Sequence, residues 1–285
     1  MKTVLETIQA GAGYLEKKGV ENGRLNMQHL VAHVLGCDRM QLYVDFDRPL
    51  GEEELVPLRE LLRRRSEGEP LQHLLGQVAF AGHDFISDGR ALIPRPETEE
   101  LVEKLIEEAA TGEPPIRVLD MGTGSGAIGL SLGMAWKESL ESLVLADFSP
   151  EALFLARENA EALGLAEFAA LECVESDLFA SLVGRKFDLI VANLPYIAAA
   201  ELPSLSREVQ RDPVMALDGG PIGTELMERF IADAPAHLNS GGRIAMEYGM
   251  GQAAPLTAFL EAKGWQNITV QRDLAKIERF IFATR

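Results

Sequence analysis

The chain has 285 residues, enough for about two domains at ~150 residues each. It is 47% hydrophobic and 25% charged, a balance that excludes wholesale disorder. Asp and Glu total 44 against 27 Lys and Arg, and the formal net charge of -17 disfavours general binding to a phosphate backbone.

In chain order, residues 1–75 predict helices. The opening stretch MKTVLETIQAGAGYLEKKG is amphipathic and carries acidic residues, without the apolar core and small-residue cleavage site of an export signal. No apolar run approaches the ~20 residues that span a bilayer, so neither export nor membrane insertion is expected. Met27, Leu30, Val31, Val34 and Leu35 form one apolar helical stripe, and Gly36 follows as a stop. A second helix runs through Leu55, Leu58, Leu61 and Leu62. Arg63, Arg64 and Arg65 behind it predict a solvated helix end favoured by the helix dipole. His29 and His33 lie four apart, yet no third ligand is evident nearby, so they are expected to be ordinary helix residues and no metal site is predicted. Two cysteines, Cys37 and Cys173, are too few for a disulfide framework and suit a reduced, cytoplasmic setting.

Residues 76–93 alternate short apolar runs with Gly and Asp and predict a hairpin linker. In IPRPETEELVEKLIEEA, Pro94 and Pro96 hold an extended segment, and a helix is expected near Thr98 with Thr98 as its cap. Residues 94–285 then read strand, glycine turn, helix, repeatedly. This predicts an α/β domain with a parallel sheet covered on both faces. The last two strands have no helix between them, so the final one should run antiparallel.

Two motifs carry chemistry. In VLDMGTGSGAIG, Gly122, Gly124 and Gly126 sit between a strand and a helix, where a nucleotide site is expected rather than a merely tight turn. The run from Gly124 to Gly129 also fits the dinucleotide pattern. However, Gly122 already occupies the strand end, and Asp120 there would oppose a pyrophosphate while suiting a cation. S-adenosylmethionine, with a sulfonium, an ammonium and no phosphate, fits better than NAD. Asp147 ends the next strand and can accept ribose hydroxyls of either cofactor. The second motif, VANLPYI, ends the fourth strand of this domain. The side-chain oxygen of Asn193 and the carbonyl of Leu194 can accept both hydrogens of a planar NH2 group, and Tyr196 offers an aromatic face to a planar substrate or a sulfonium. Arg95, Glu97 and Thr98 are expected to wall the substrate pocket.

These motifs, with GEPLQHLLG (68–76), LIPRPETEELVE (92–103), VLDMGTGSGAIGLSL (118–132), DPVMALDGG (212–220), EYGMGQ (247–252) and RDLAKIERF (272–280), make the chain resemble the release factor glutamine methyltransferases over nearly its whole length. The resemblance implies a seven-stranded, Rossmann-like methyltransferase sheet behind a small helical recognition domain (1–75). It implies S-adenosylmethionine as methyl donor and the glutamine of the Gly-Gly-Gln motif in class 1 peptide chain release factors as acceptor. By position, it implies cofactor contacts at Gly122, Thr123, Gly124, Ser125, Gly126, Asp147, Leu178 and Asn193, and a substrate-binding tetrapeptide of Asn193, Leu194, Pro195 and Tyr196. Two positions depart from the family. Leu194 replaces the first proline of an NPPY tetrapeptide, keeping the carbonyl but loosening the turn. Leu178 stands at an often aromatic position, where Phe179 is the available substitute for adenine stacking. The same chemistry would serve a glutamine of a large-subunit ribosomal protein or an exocyclic amine of DNA or RNA; the acidic balance argues against nucleic acid as a direct partner.

Overall fold

A computed structural model of the chain describes residues 2–112, 114–168 and 170–285. It divides into two compact units, Met1–Gln77 with Ser206–Arg211, and Val78–Leu205 with Asp212–Arg285.

The first unit is helical. Helix α1 (Val4–Lys17) opens on a capping box: Glu6 N donates to Thr3 Oγ1 at 3.2 Å, and Thr3 N donates to the Glu6 carboxylate at 2.9 Å. In α2 (Gly23–Leu35), Met27, Leu30 and Val31 are buried, and Gly36 ends the helix at φ +62°. Short α3 (Gln41–Val44), α4 (Glu52–Ser66) and α5 (Leu71–Leu75) complete it. The arginine run of α4 is not uniformly solvated. Arg63 pairs with Glu60 and Glu67 at the surface, but Arg65 is 3% exposed and donates to Asn26 Oδ1 at 2.6 Å and Glu208 Oε1 at 2.5 Å. Its burial corrects the expectation of a solvated end; neighbours on α2 and in the Ser206–Arg211 segment claim the guanidinium.

The second unit opens within β1 (Gln77–Phe80), at Val78, and β1 pairs with β2 (His83–Ile86) through a left-handed turn at Ala81 and Gly82. Helix α6 (Pro96–Ala110) starts at a proline, which suits the first helical position, so Thr98 lies inside the first turn and is not the cap. Then follow β3 (Arg117–Met121), α7 (Ala127–Trp136), β4 (Ser142–Asp147), α8 (Pro150–Ala162), β5 (Leu171–Glu175), β6 (Phe187–Asn193), α9 (Glu225–Asp233), β7 (Leu238–Glu247), α10 (Ala253–Ala262), β8 (Gln266–Arg272) and β9 (Glu278–Thr284). Ser149 caps α8, accepting from Ala152 N, with Pro150 behind it.

Seven strands form one sheet in the order β5-β4-β3-β6-β7-β9-β8, parallel except for β9, which runs antiparallel to both neighbours. Alternation along the strands builds two cores. Leu119, Val144 and Ile190 face one side with Met227, Phe230 and Leu256; Val118, Leu143 and Leu189 face the other with Leu101, Leu105 and Leu130. The strand order turns back at β3, between β4 and β6. Their carboxyl ends open at the position where open α/β sheets bind ligands.

Candidate active site

At the end of β3 the backbone turns through Gly122 (φ +71°), Gly124 (φ +57°) and Gly126 (φ +85°), a left-handed run that side chains disfavour. A Cβ on Gly122 would lie 2.9 Å from Leu194 Cδ2, so the glycine loop packs directly on the tetrapeptide. Asp120 braces this loop from behind. Its Oδ2 accepts from Thr123 Oγ1 at 2.6 Å and Gly129 N at 2.8 Å. Complete burial pushes its carboxyl up to about 6 against those hydrogen bonds. The Gly129 amide belongs to the first turn of α7, so a carboxylate already answers the helix end that a phosphate would seek. Asp120 thus disfavours a dinucleotide from behind the loop: it is wholly buried and does not line the cavity.

The cavity at these strand ends has a volume of about 510 Å³, within the usual range for ligand sites. Gly122, Thr123, Gly124, Ser125, Asp147, Leu178, Asn193, Leu194 and Pro195 line it; Gly126, Asp120 and Tyr196 do not. Asp147 is oriented by Gly124 N on Oδ2 and Ser149 N on Oδ1, both at 2.8 Å. Burial raises its carboxyl from its ordinary value despite these amides. Leu178 is held at φ +48° with its carbonyl accepting from Ser176 Oγ at 2.6 Å. That turn sends Phe179 away from the cavity, onto His237 at 4.5 Å and Phe230 at 5.5 Å between ring centres, so Phe179 does not replace an adenine-stacking aromatic. Phe148 lines the cavity instead, beside Asp147 and 59% exposed. Its position directly after the strand-end carboxylate was the available sequence signal.

Asn193 ends β6. Its Nδ2 donates to Thr98 Oγ1 at 2.9 Å, and Thr98 donates to Glu247 Oε2 at 2.6 Å. Glu247 ends β7 directly beside Asn193 in the parallel register. Burial pushes its carboxyl up to about 7, with Glu97 adding to the rise, while Thr98, Arg279 and Tyr196 oppose it. Tyr196 is half-buried against the core, and its hydroxyl donates to Glu247 Oε1 at 3.4 Å. Its ring is a strut under the tetrapeptide, not a stacking face in the cavity. Gln252 donates to the carbonyls of Tyr196 and Gly223, and the 217–220 segment pairs with 197–199. The DPVMALDGG and EYGMGQ motifs thus hold the tetrapeptide in place. From PRPETE, Arg95 and Thr98 line the cavity and Glu97 does not; Arg95 binds buried Asp212 at 2.6 Å. Among the described residues no histidine lines the cavity. What the arrangement offers a ligand is a shaped pocket with acceptor oxygens and a hydrophobic wall.

Two family models match this chain: the PrmC N-terminal domain over residues 6–76 and the methyltransferase small domain over residues 97–212. It is 39% identical over 280 residues to the release factor glutamine methyltransferase of Geobacter sulfurreducens, covering 98% of this chain and 95% of that protein. It is 39% identical to the enzyme of the same name from Deinococcus radiodurans, covering 95% and 94%. Among solved structures it is similar to the hMettl16 catalytic domain in complex with MAT2A 3'UTR hairpin 6 (TM-score 0.55, 17% identity, 81% of each chain). A methyltransferase from Pyrococcus furiosus is similar too (TM-score 0.51, 19% identity, 71% and 89%). Likeness at that identity speaks to the fold alone.

Proposed function

This chain belongs to the release factor glutamine methyltransferase family, and we propose that it methylates the side-chain amide nitrogen (N5) of the glutamine in the Gly-Gly-Gln motif of class 1 peptide chain release factors. S-adenosylmethionine, when bound, supplies an electrophilic methyl group on a sulfonium. The donor set suits it. Asp147 presents a carboxylate for the ribose hydroxyls, Phe148 and Leu178 give flat and aliphatic contact, and the glycine loop admits close backbone approach.

The observation that carries this reading is the orientation of Asn193. Its NH2 is turned to Thr98, which leaves Oδ1 free of that bond, and both Asn193 and Leu194 line the cavity. An amide nitrogen is a poor nucleophile because its lone pair is delocalised. With both N–H groups donated to Asn193 Oδ1 and the Leu194 carbonyl, the nitrogen presents its lone pair to the methyl group. The same oxygens stabilise positive charge growing on nitrogen. Holding the amide in line is worth ~7 kcal/mol or more. The proton leaves to water once the N–C bond has formed and the C–S bond has broken.

We assign substrate recognition to helical residues 1–75, joined by the 76–93 hairpin to the catalytic residues 94–285. The reaction belongs in the cytoplasm, where release factors act. Among the described residues no helix is long and apolar enough to cross a membrane. The test is to incubate the protein with labelled S-adenosylmethionine and a purified release factor, with and without Gln→Ala in its Gly-Gly-Gln motif. Label is expected on the unaltered factor and absent from the altered one; label persisting on the altered factor overturns the assignment.

A further inference from the structure

We propose that Glu247 is a positioning residue for methyl transfer: acting through Thr98, it fixes which end of the Asn193 amide faces the cavity. The proposal rests on the function assigned above and adds to it the origin of the acceptor geometry.

Hydrogen-bond direction sets the orientation of Asn193. An ionised carboxylate, the form Glu247 takes above its raised value of about 7, only accepts, and a threonine hydroxyl has one hydrogen to give. Thr98 gives it to Glu247 Oε2 at 2.6 Å. The Thr98 oxygen can then only accept, and of the two ends of the Asn193 side chain only the NH2 can donate to it, as it does at 2.9 Å. A flipped Asn193 would set its carbonyl oxygen against a hydroxyl oxygen with no hydrogen left. The order carboxylate, hydroxyl, amide therefore leaves Oδ1 for the ligand. The other oxygen, Oε1, accepts from the Tyr196 hydroxyl at 3.4 Å, so one carboxylate holds the first and last residues of the tetrapeptide.

Stability alone gives no reason for this group. Glu247 is 1% exposed. Among the described residues it has no ion-pair partner, since nearby Arg279 on β9 is turned to Asp273 and to the Tyr248 carbonyl, and Glu97 on α6 is a like charge. A buried, unpaired carboxylate destabilises a fold relative to a neutral residue of similar size. Its presence under the tetrapeptide is explained by what it does to Asn193.

The test uses Thr98→Val, which keeps the shape and removes the relay, and Glu247→Gln, whose amide can donate to Thr98 and reverse the chain. Each is expected to lower kcat for release factor methylation at least ~10-fold with S-adenosylmethionine affinity and KM near wild type. The double variant should be no slower than the slower single, because both break one chain. Thr98→Ser, which restores the hydroxyl, should recover most of the loss. Full kcat in either single variant, or losses that multiply in the double variant, overturns the proposal. The Asn193 side-chain 15N resonance gives a readout independent of activity. Should the wild type methylate no release factor, the functional assignment fails. The hydrogen-bond chain is then judged by this resonance: a shift in Thr98→Val supports it, and an unmoved resonance overturns it.

Discussion

Asn193 and Leu194 present the two acceptors on which the chemistry depends, and they do so differently. Asn193 uses a side-chain oxygen, so Asn193→Ala removes an acceptor outright; Leu194 uses its backbone carbonyl, which no substitution deletes. We expect Asn193→Ala to lower kcat by ~100-fold or more while the thermal unfolding curve stays close to wild type. Undiminished methyl transfer by a folded Asn193→Ala protein would sink the acceptor role. The leucine in place of proline has a visible consequence: its side chain is buried and fills the space above Gly122. At this scale the sequence revealed residues whose type and strand-end position announce their chemistry, as with Asp147, Asn193 and the glycine loop. It did not reveal Glu247, whose relation to Asn193 exists only through the register of β6 and β7. Nor did it show that a left-handed Leu178 turns Phe179 into the core, or that Asp120 serves the loop rather than the cavity.

The elements themselves were largely legible, because buried parallel strands read as short apolar runs and the stops were glycines. Where the reading failed, a specific contact had displaced a local preference. Thr98 has the chemistry of a cap, but Pro96 begins α6 and the hydroxyl is taken by Glu247. Arg63 and Arg65 lie in one run of α4, yet one is solvated and the other is buried against Asn26 and Glu208. This difference is measurable. Arg65→Ala leaves a buried amide oxygen and a carboxylate without their donor and should destabilise the protein by about 2 kcal/mol. Arg63→Ala, which removes exposed ion pairs, should change stability by less than ~1 kcal/mol. Equal effects in thermal or denaturant unfolding would show that Arg65 does not tie these segments together.

For the molecule as a whole, the charge of -17 and the two-part organisation bear on which substrate is methylated. The sequence suggested a division near the hairpin. It gave no hint that Ser206–Arg211 belongs with the helical unit, since a discontinuous unit leaves no boundary in composition. The tetrapeptide chemistry serves any planar NH2 group, so substrate choice must come from the protein surface and the shape of the cavity. An acidic surface repels RNA at long range and is neutral or favourable toward a protein with basic patches. The most direct measurement is a competition in one vessel: the protein, labelled S-adenosylmethionine, a class 1 release factor, large-subunit ribosomal proteins and total RNA. The expected result is label on the release factor alone, sited at the Gly-Gly-Gln glutamine. Label on a ribosomal protein or on RNA in preference to the release factor would contradict the account.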